Sequence, residues 1–162
     1  MSDIEQDEME KIVEAIKNDN INTLSTILKK YSTKQISEST PYSNYTLFMY
    51  ACEKGSPQAV KTFIDQGTYL FFVKYADNNE FKSAVSNKKY SYEVVSLLLE
   101  MFKDDKKGAV AELKSDGDYC EELDPSDPRG GVSPLTMLKN NKDKKTLALV
   151  RKFIRETNRH PS

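Results

Sequence analysis

The chain has 162 residues, 30% of them charged and 38% hydrophobic, with a formal net charge of −1. A chain of this length makes one domain with room for a sizeable core, and a charge near zero gives no overall attraction to nucleic acid or to a membrane surface. No apolar run reaches the roughly 20 residues of a membrane-spanning helix. The two cysteines, Cys52 and Cys120, form no disulfide or metal framework, so a reduced cytoplasmic setting is expected.

The start, "MSDIEQDEME", carries five acids and no base, and it lacks the basic and apolar segments of a signal peptide. The segment "IVEAIKNDNINTLSTILKK" then reads as two short helices on either side of Asn18-Asp19-Asn20, residue types that tolerate left-handed backbone. "YTLFMYACEKGSPQAVKTFIDQG" repeats the pattern. Gly55 is expected to close the first helix in the left-handed conformation, Pro57 to open the second, and Gly67 to stop it.

Residues 68–76, "TYLFFVKYA", are crowded with aromatics, and "EFKSAVSNKKYSYEVVSLLLEMF" gives a third helix pair with lysines and Asn87 at its break. From Lys103 to Pro128 the period fails. This acidic insertion, with two glycines and two prolines, reads as a loop apart from a short helix or strand over Ala109 to Leu113. "SPLTMLKNNKDKKTLALVRKFI" restores the pattern within a basic segment, and residues 157–162 read as a frayed end.

The four segments align as repeats. Ala15, Ala51, Ala84 and Leu138 stand one turn before each break. The second helices then share one apolar stripe at spacing i, i+3, i+4: Leu24, Ile27, Leu28; Val60, Phe63, Ile64; Val94, Leu97, Leu98; and Val150, Phe153, Ile154. Such a helix pair cannot bury its apolar face alone, so successive pairs must stack.

Thr46-Leu47-Phe48-Met49-Tyr50-Ala51-Cys52-Glu53-Lys54-Gly55 resembles the first helix of an ankyrin repeat, with Leu47 and Met49 where that family has proline and histidine. Ser133-Pro134-Leu135-Thr136 is similar to its opening tetrapeptide, and Val60, Phe63, Ile64 and Gly67 fit its second helix and stop. The first copy has Asp19 and the third has lysines in place of the mid-repeat glycine, so the repeats are degenerate. The resemblance implies an all-α ankyrin-type solenoid with short finger loops, one domain over 1–162. Its repeats are near 9–30, 43–67, 76–102 and 129–156, the outer two acting as caps, and the insertion covers 103–128.

Catalytic chemistry is not expected. The one histidine, His160, lies in the tail, so a histidine triad or metal cage has no basis. Cys52 falls at a small buried position, and the acids around Cys120 would raise its thiol pKa. Asp116, Asp118, Glu121 and Glu122 have the oxygen-rich composition of a cation site without the ligand order of a calcium loop. No glycine-rich phosphate loop occurs. No enzyme, metal or cofactor is therefore expected.

The resemblance implies recognition of another protein through a concave surface made of finger tips and first-helix residues. By position these are Lys17 and Asn18, Glu53 and Lys54, Ser86 and Asn87, and Asn140 and Asn141, with Ser43, Tyr45, Asp77, Asn78, Gly130 and Val132 in fingers and turns. Phe71 and Phe72 either pack under the insertion or stand out as aromatic anchors. The expected molecule is a monomeric, cytoplasmic adaptor, inhibitor or host-directed effector, the last delivered into a host cell. The alternative is an N-terminal targeting or regulatory domain of a longer enzyme or channel. Lys139 to Arg159 holds eight bases and two acids but lacks interleaved aromatics, so nucleic acid or anionic lipid is the weaker partner class. Membrane insertion is not expected.

Overall fold

Four residues along the chain recur as helix openers, each because a short polar side chain precedes an apolar run. Thr46 accepts the Met49 N–H at 3.1 Å, Ser56 that of Ala59 at 3.2 Å, Ser133 that of Thr136 at 3.1 Å and Asn20 that of Thr23 at 3.3 Å. The computed structural model of the chain describes residues 4–41, 45–68, 80–114 and 132–159, and there the fold is wholly helical, without a strand. The helices are α1 (Gln6–Lys17), α2 (Ile21–Leu28), α3 (Thr33–Ser37), α4 (Leu47–Lys54), α5 (Pro57–Asp65), α6 (Glu80–Val85), α7 (Ser91–Met101), α8 (Lys106–Lys114), α9 (Pro134–Asn140) and α10 (Lys144–Arg159). None of the described helices is long and apolar enough to cross a membrane.

The helices form two layers. In one, α1 touches α4, α4 touches α6 and α6 touches α9; in the other, α2, α5, α7 and α10 follow one another in the same order. Within each pair the first helix packs on the second. The anchors Ala15, Ala51, Ala84 and Leu138 are all buried. The stripes face the layer between: Leu24, Ile27, Leu28, Val60, Phe63, Val94, Leu98, Val150 and Ile154 are buried, with Ile64, Leu97 and Phe153 half-buried. Phe48 meets Phe63 with ring centroids 6.0 Å apart, and Phe81 meets Phe102 at 5.5 Å.

Four expectations need correction. Gly55 is not left-handed: it is extended, at φ −93° and ψ 171°. Its side-chain hydrogen is required by space instead, because a Cβ would lie 2.6 Å from the Ala51 carbonyl oxygen, 3.2 Å from the Ala59 Cβ and 3.3 Å from the Ile16 Cγ2. The left-handed turns belong to Asp19 (φ 55°) and Lys142 (φ 58°), with Gly67 (φ 83°) after α5 as expected. The short element expected over Ala109 to Leu113 is a helix, but the loop expected before it is not loop: α8 begins at Lys106 and packs on α6, α9 and α10, burying Ala109 and Leu113, while residues 115–131 lie outside the described ones. The end is not frayed at Thr157, which is buried within α10. Finally, α3 had no counterpart in the repeat alignment. It is opened by a capping box in which the Ser32 hydroxyl accepts from the Gln35 N–H at 3.1 Å and the Ser32 N–H donates to Gln35 Oε1 at 2.9 Å.

The burial difference sets an order of stability. Phe63→Ala removes a fully buried ring between neighbouring pairs and is expected to cost about 3–5 kcal/mol in urea melts, whereas Phe153→Ala, at a half-buried position of the last pair, costs less. Gly55→Ala is expected to cost about 1–3 kcal/mol by overpacking. Equal losses for the two phenylalanine variants would contradict the stacking order.

Candidate functional site

Each first helix ends in carbonyls that have no partner within the helix, and the chain must reverse there within a few residues. In the first and last pairs the reversal uses the left-handed residue: the Asn20 N–H returns to the Ala15 carbonyl at 2.9 Å and the Asp143 N–H to the Leu138 carbonyl at 3.2 Å. In the third pair a side chain takes over. Asn87 Nδ2 donates to the carbonyls of Cys52 and Gly55, both at 2.9 Å, and its Oδ1 accepts from the N–H groups of Lys89 (3.1 Å) and Tyr90 (2.9 Å). One amide thus closes the end of α4 and organises the entry to α7.

Similar bonds tie the other turns together. The Ser56 hydroxyl donates to Asp19 Oδ1 at 2.5 Å, joining the second turn to the first. The Ser91 hydroxyl donates to Asp143 Oδ2 and lies 3.0 Å from the Thr146 hydroxyl, joining the third pair to the fourth. Asp143 also accepts the Thr146 N–H at 3.2 Å, as the cap of α10.

Beside this row of turns lies an open cleft of 1070 Å3. Its lining comes from the end of α4 (Glu53, Lys54), the end of α6 and its turn (Val85 to Lys89), the start of α7 (Ser91 to Glu93), the end of α9 (Met137, Asn140, Asn141) and the entry to α10 (Asp143, Lys145, Thr146). Glu53 and Lys54 form an ion pair at 3.6 Å. The Lys145 ammonium sits 4.2 Å from the centre of the Tyr92 ring, and that of Lys89 lies 5.2 Å from the Tyr90 ring. The cleft is therefore polar, of mixed charge and partly floored by aromatic surface.

Six of the residues singled out in the sequence, Glu53, Lys54, Ser86, Asn87, Asn140 and Asn141, line this one cleft. Asn87 is there in a different capacity from the one expected: it is buried, and its side chain is engaged by the four bonds above, so its exposure is corrected. Ser86 is half-buried and donates to the Lys82 carbonyl at 2.8 Å. Glu53 is half-buried, while Lys54, Asn140 and Asn141 are exposed.

The remaining candidates do not join them. Asn18 lines a separate hollow of 530 Å3 with Asp7, Glu10, Lys11 and Glu14, and Lys17 pairs with Glu14 at 3.8 Å. Tyr45 lies beyond the opposite end of α4, about 12 Å away along an eight-residue helix. It is half-buried, with its hydroxyl 3.4 Å from the Met49 carbonyl and its ring edge-on to Tyr50 at 6.4 Å. Val132 is likewise half-buried against the core. Ser43, Phe71, Phe72, Asp77, Asn78 and Gly130 lie outside the described residues, as do Cys120, His160 and the acids from Asp116 to Glu122.

Sequence reasoning passed over Lys88, Lys89, Tyr92, Asp143 and Lys145. Asp143 was findable, since an aspartate three residues before Thr146 at the head of an apolar run is a cap signature. It also passed over Glu80 and Lys82, both buried on α6. Cys52 is buried as expected, and desolvation, followed by the nearby Glu80 carboxylate, pushes its thiol well above the ordinary range, which keeps it protonated and unreactive. Among the described residues no three acidic, histidine or cysteine side chains converge as metal ligands would. Compared with known proteins, the chain matches no family model, no curated protein and no solved structure at a significant level.

The bond pattern of Asn87 separates a structural role from a binding one. Asn87→Ala leaves two carbonyls and two N–H groups without their partner and is expected to lower stability by about 2–3 kcal/mol in chemical denaturation. Asn87→Asp keeps an acceptor but loses the donors, so it recovers only part of the loss. Asn140→Ala with Asn141→Ala, both exposed, stays within about 0.5 kcal/mol.

Proposed function

We propose that the chain is a non-catalytic protein-recognition module of ankyrin type, a degenerate four-repeat solenoid that holds a partner protein along the turn side of its second to fourth repeats. The observation that supports this reading is the convergence of Glu53, Lys54, Ser86, Asn140 and Asn141, which come from three different helix pairs, on one open cleft. The second, third and fourth helix pairs each contribute polar or charged groups from the end of the first helix, and stacking adds these groups into a surface that no single pair possesses. The paired helix layers and the cap residues Thr46, Ser56 and Ser133 support the family reading. On this reading the molecule works as a cytoplasmic monomer, by masking or tethering its partner, without a cofactor.

The binding surface differs in emphasis from the concave face implied by resemblance alone. Among the described residues, the finger candidate Tyr45 lies at the opposite end of α4 from Glu53 and Lys54, so one small epitope cannot use both. The turn side is the better candidate because it carries the exposed, uncommitted amides and charges.

The test is direct binding to a partner captured by affinity purification and then purified. Glu53→Lys with Lys54→Glu is expected to weaken its affinity about tenfold or more, with a melting temperature within about 2 °C of the parent. Calorimetric titration reads the first quantity and circular dichroism the second. Unchanged affinity would remove the cleft as the binding site.

A further inference from the structure

The charge balance of the cleft differs from what its composition implies. Of its three carboxylates, two are engaged within the fold. Asp143 accepts from the Ser91 hydroxyl and the Thr146 N–H, and Glu53, 16% exposed, is paired with Lys54. Glu93 remains. Against it stand Lys88, Lys89 and Lys145, all exposed, and among the described residues none of these three forms an ion pair. Two of them rest against rings: Tyr92 lies under the Lys145 ammonium and Tyr90 beside that of Lys89. A ring face attracts an ammonium group without neutralising it, and leaves its N–H donors free for an anion.

We propose, resting on the recognition-module reading, that the cleft takes an acidic peptide segment of its partner, with carboxylates on Lys88, Lys89 and Lys145 and the peptide backbone bonded by the amides of Asn140 and Asn141. The amides favour a peptide because each offers a donor and an acceptor, the pair that a peptide backbone repeats. A polyphosphate strand is disfavoured because the exposed Glu93 stands in the same lining as the lysines and repels its evenly spaced charges. The charge contacts sit in solvent, so binding must weaken as salt rises toward physiological strength, where screening acts over about 8 Å.

The experiment is fluorescence anisotropy of the whole chain with a labelled peptide of alternating glutamate and serine, at low and at physiological salt. Its counterparts are a lysine–serine peptide of equal length and a single-stranded oligothymidylate. The acidic peptide is expected to bind in a salt-sensitive manner, the lysine peptide not at all and the oligonucleotide more weakly. Lys88→Glu with Lys145→Glu should lower the affinity about tenfold. The milder Lys88→Gln with Lys145→Gln should lower it less, and reversal of the exposed Lys29 and Lys61 outside the cleft should change nothing. Thermal melts check that each variant stays folded. Absence of binding at low salt, equal loss on reversing Lys29 and Lys61, or tighter binding of the oligonucleotide would each overturn the proposal. If the acidic peptide fails while Glu53→Lys with Lys54→Glu still weakens the purified partner, the peptide chemistry falls and the recognition module stands.

Discussion

The structure depends on how the carbonyl ends of the first helices are satisfied. A helix leaves its last carbonyls unpaired, and at the end of α4 the Cys52 and Gly55 residues that carry two of them are buried. The first and last pairs do this with their own backbone, and the second with a neighbour's side chain, Asn87 of the third pair bonding the Cys52 and Gly55 carbonyls. Side-chain bonds from Ser56 to Asp19 and from Ser91 to Asp143 tie the other adjacent turns together. Apolar stripes alone would tolerate some sliding of one pair on the next. Directional bonds between turns do not, and they therefore set the register that brings α4, α6 and α9 to a common edge.

How much of this could be read from the sequence follows from the type of force involved. The stripes were legible because burial requires only an apolar side chain at the right helical phase, and Leu24, Val60, Phe63, Val94, Leu98 and Val150 are buried where that phase puts them. Turn chemistry was legible where it is local, as with Pro57 and Pro134 after the caps Ser56 and Ser133. It failed where the cause does not lie in the turn type. Gly55 looks like a left-handed stop, yet what demands glycine there is first the Ala51 carbonyl oxygen, 2.6 Å from where a Cβ would lie, and then Ala59 and Ile16 of the first pair. Asn87 looks like an exposed turn residue for the same reason, since its two carbonyl partners stand 35 and 32 positions earlier in the chain. The candidate cleft was legible only as separate positions, because a space between repeats has no representation within any one of them.

The insertion carries a related lesson. Ala109 and Leu113 offer one apolar pair at i, i+4, enough to suggest a short element but not its packing, and they are fully buried against the third and fourth helix pairs. Packing of α8 on α6, α9 and α10 covers apolar surface of those pairs. A segment that breaks a period can thus belong to the core. Asp105, whose Oδ1 accepts the Gly108 N–H at 3.1 Å, caps that helix and marks where the insertion turns into structure.

The same bonds that hold the register also shape the electrostatics of the surface. A carboxylate that accepts hydrogen bonds from a turn, as Asp143 does on both oxygens from Ser91 and Thr146, is oriented by those bonds toward the turn and not toward an adjacent lysine. The near-zero net charge of the chain therefore overstates how neutral its surfaces are. Around the cleft, acids are drawn into the fold as caps while lysines, too long and too strongly hydrated to serve that purpose, stay outside. The excess of exposed ammonium groups at Lys88, Lys89 and Lys145 then follows from stacking degenerate repeats. Asp143, held by the Ser91 hydroxyl and the Thr146 N–H, is engaged in this way, and its charge counts for less in the balance a partner meets.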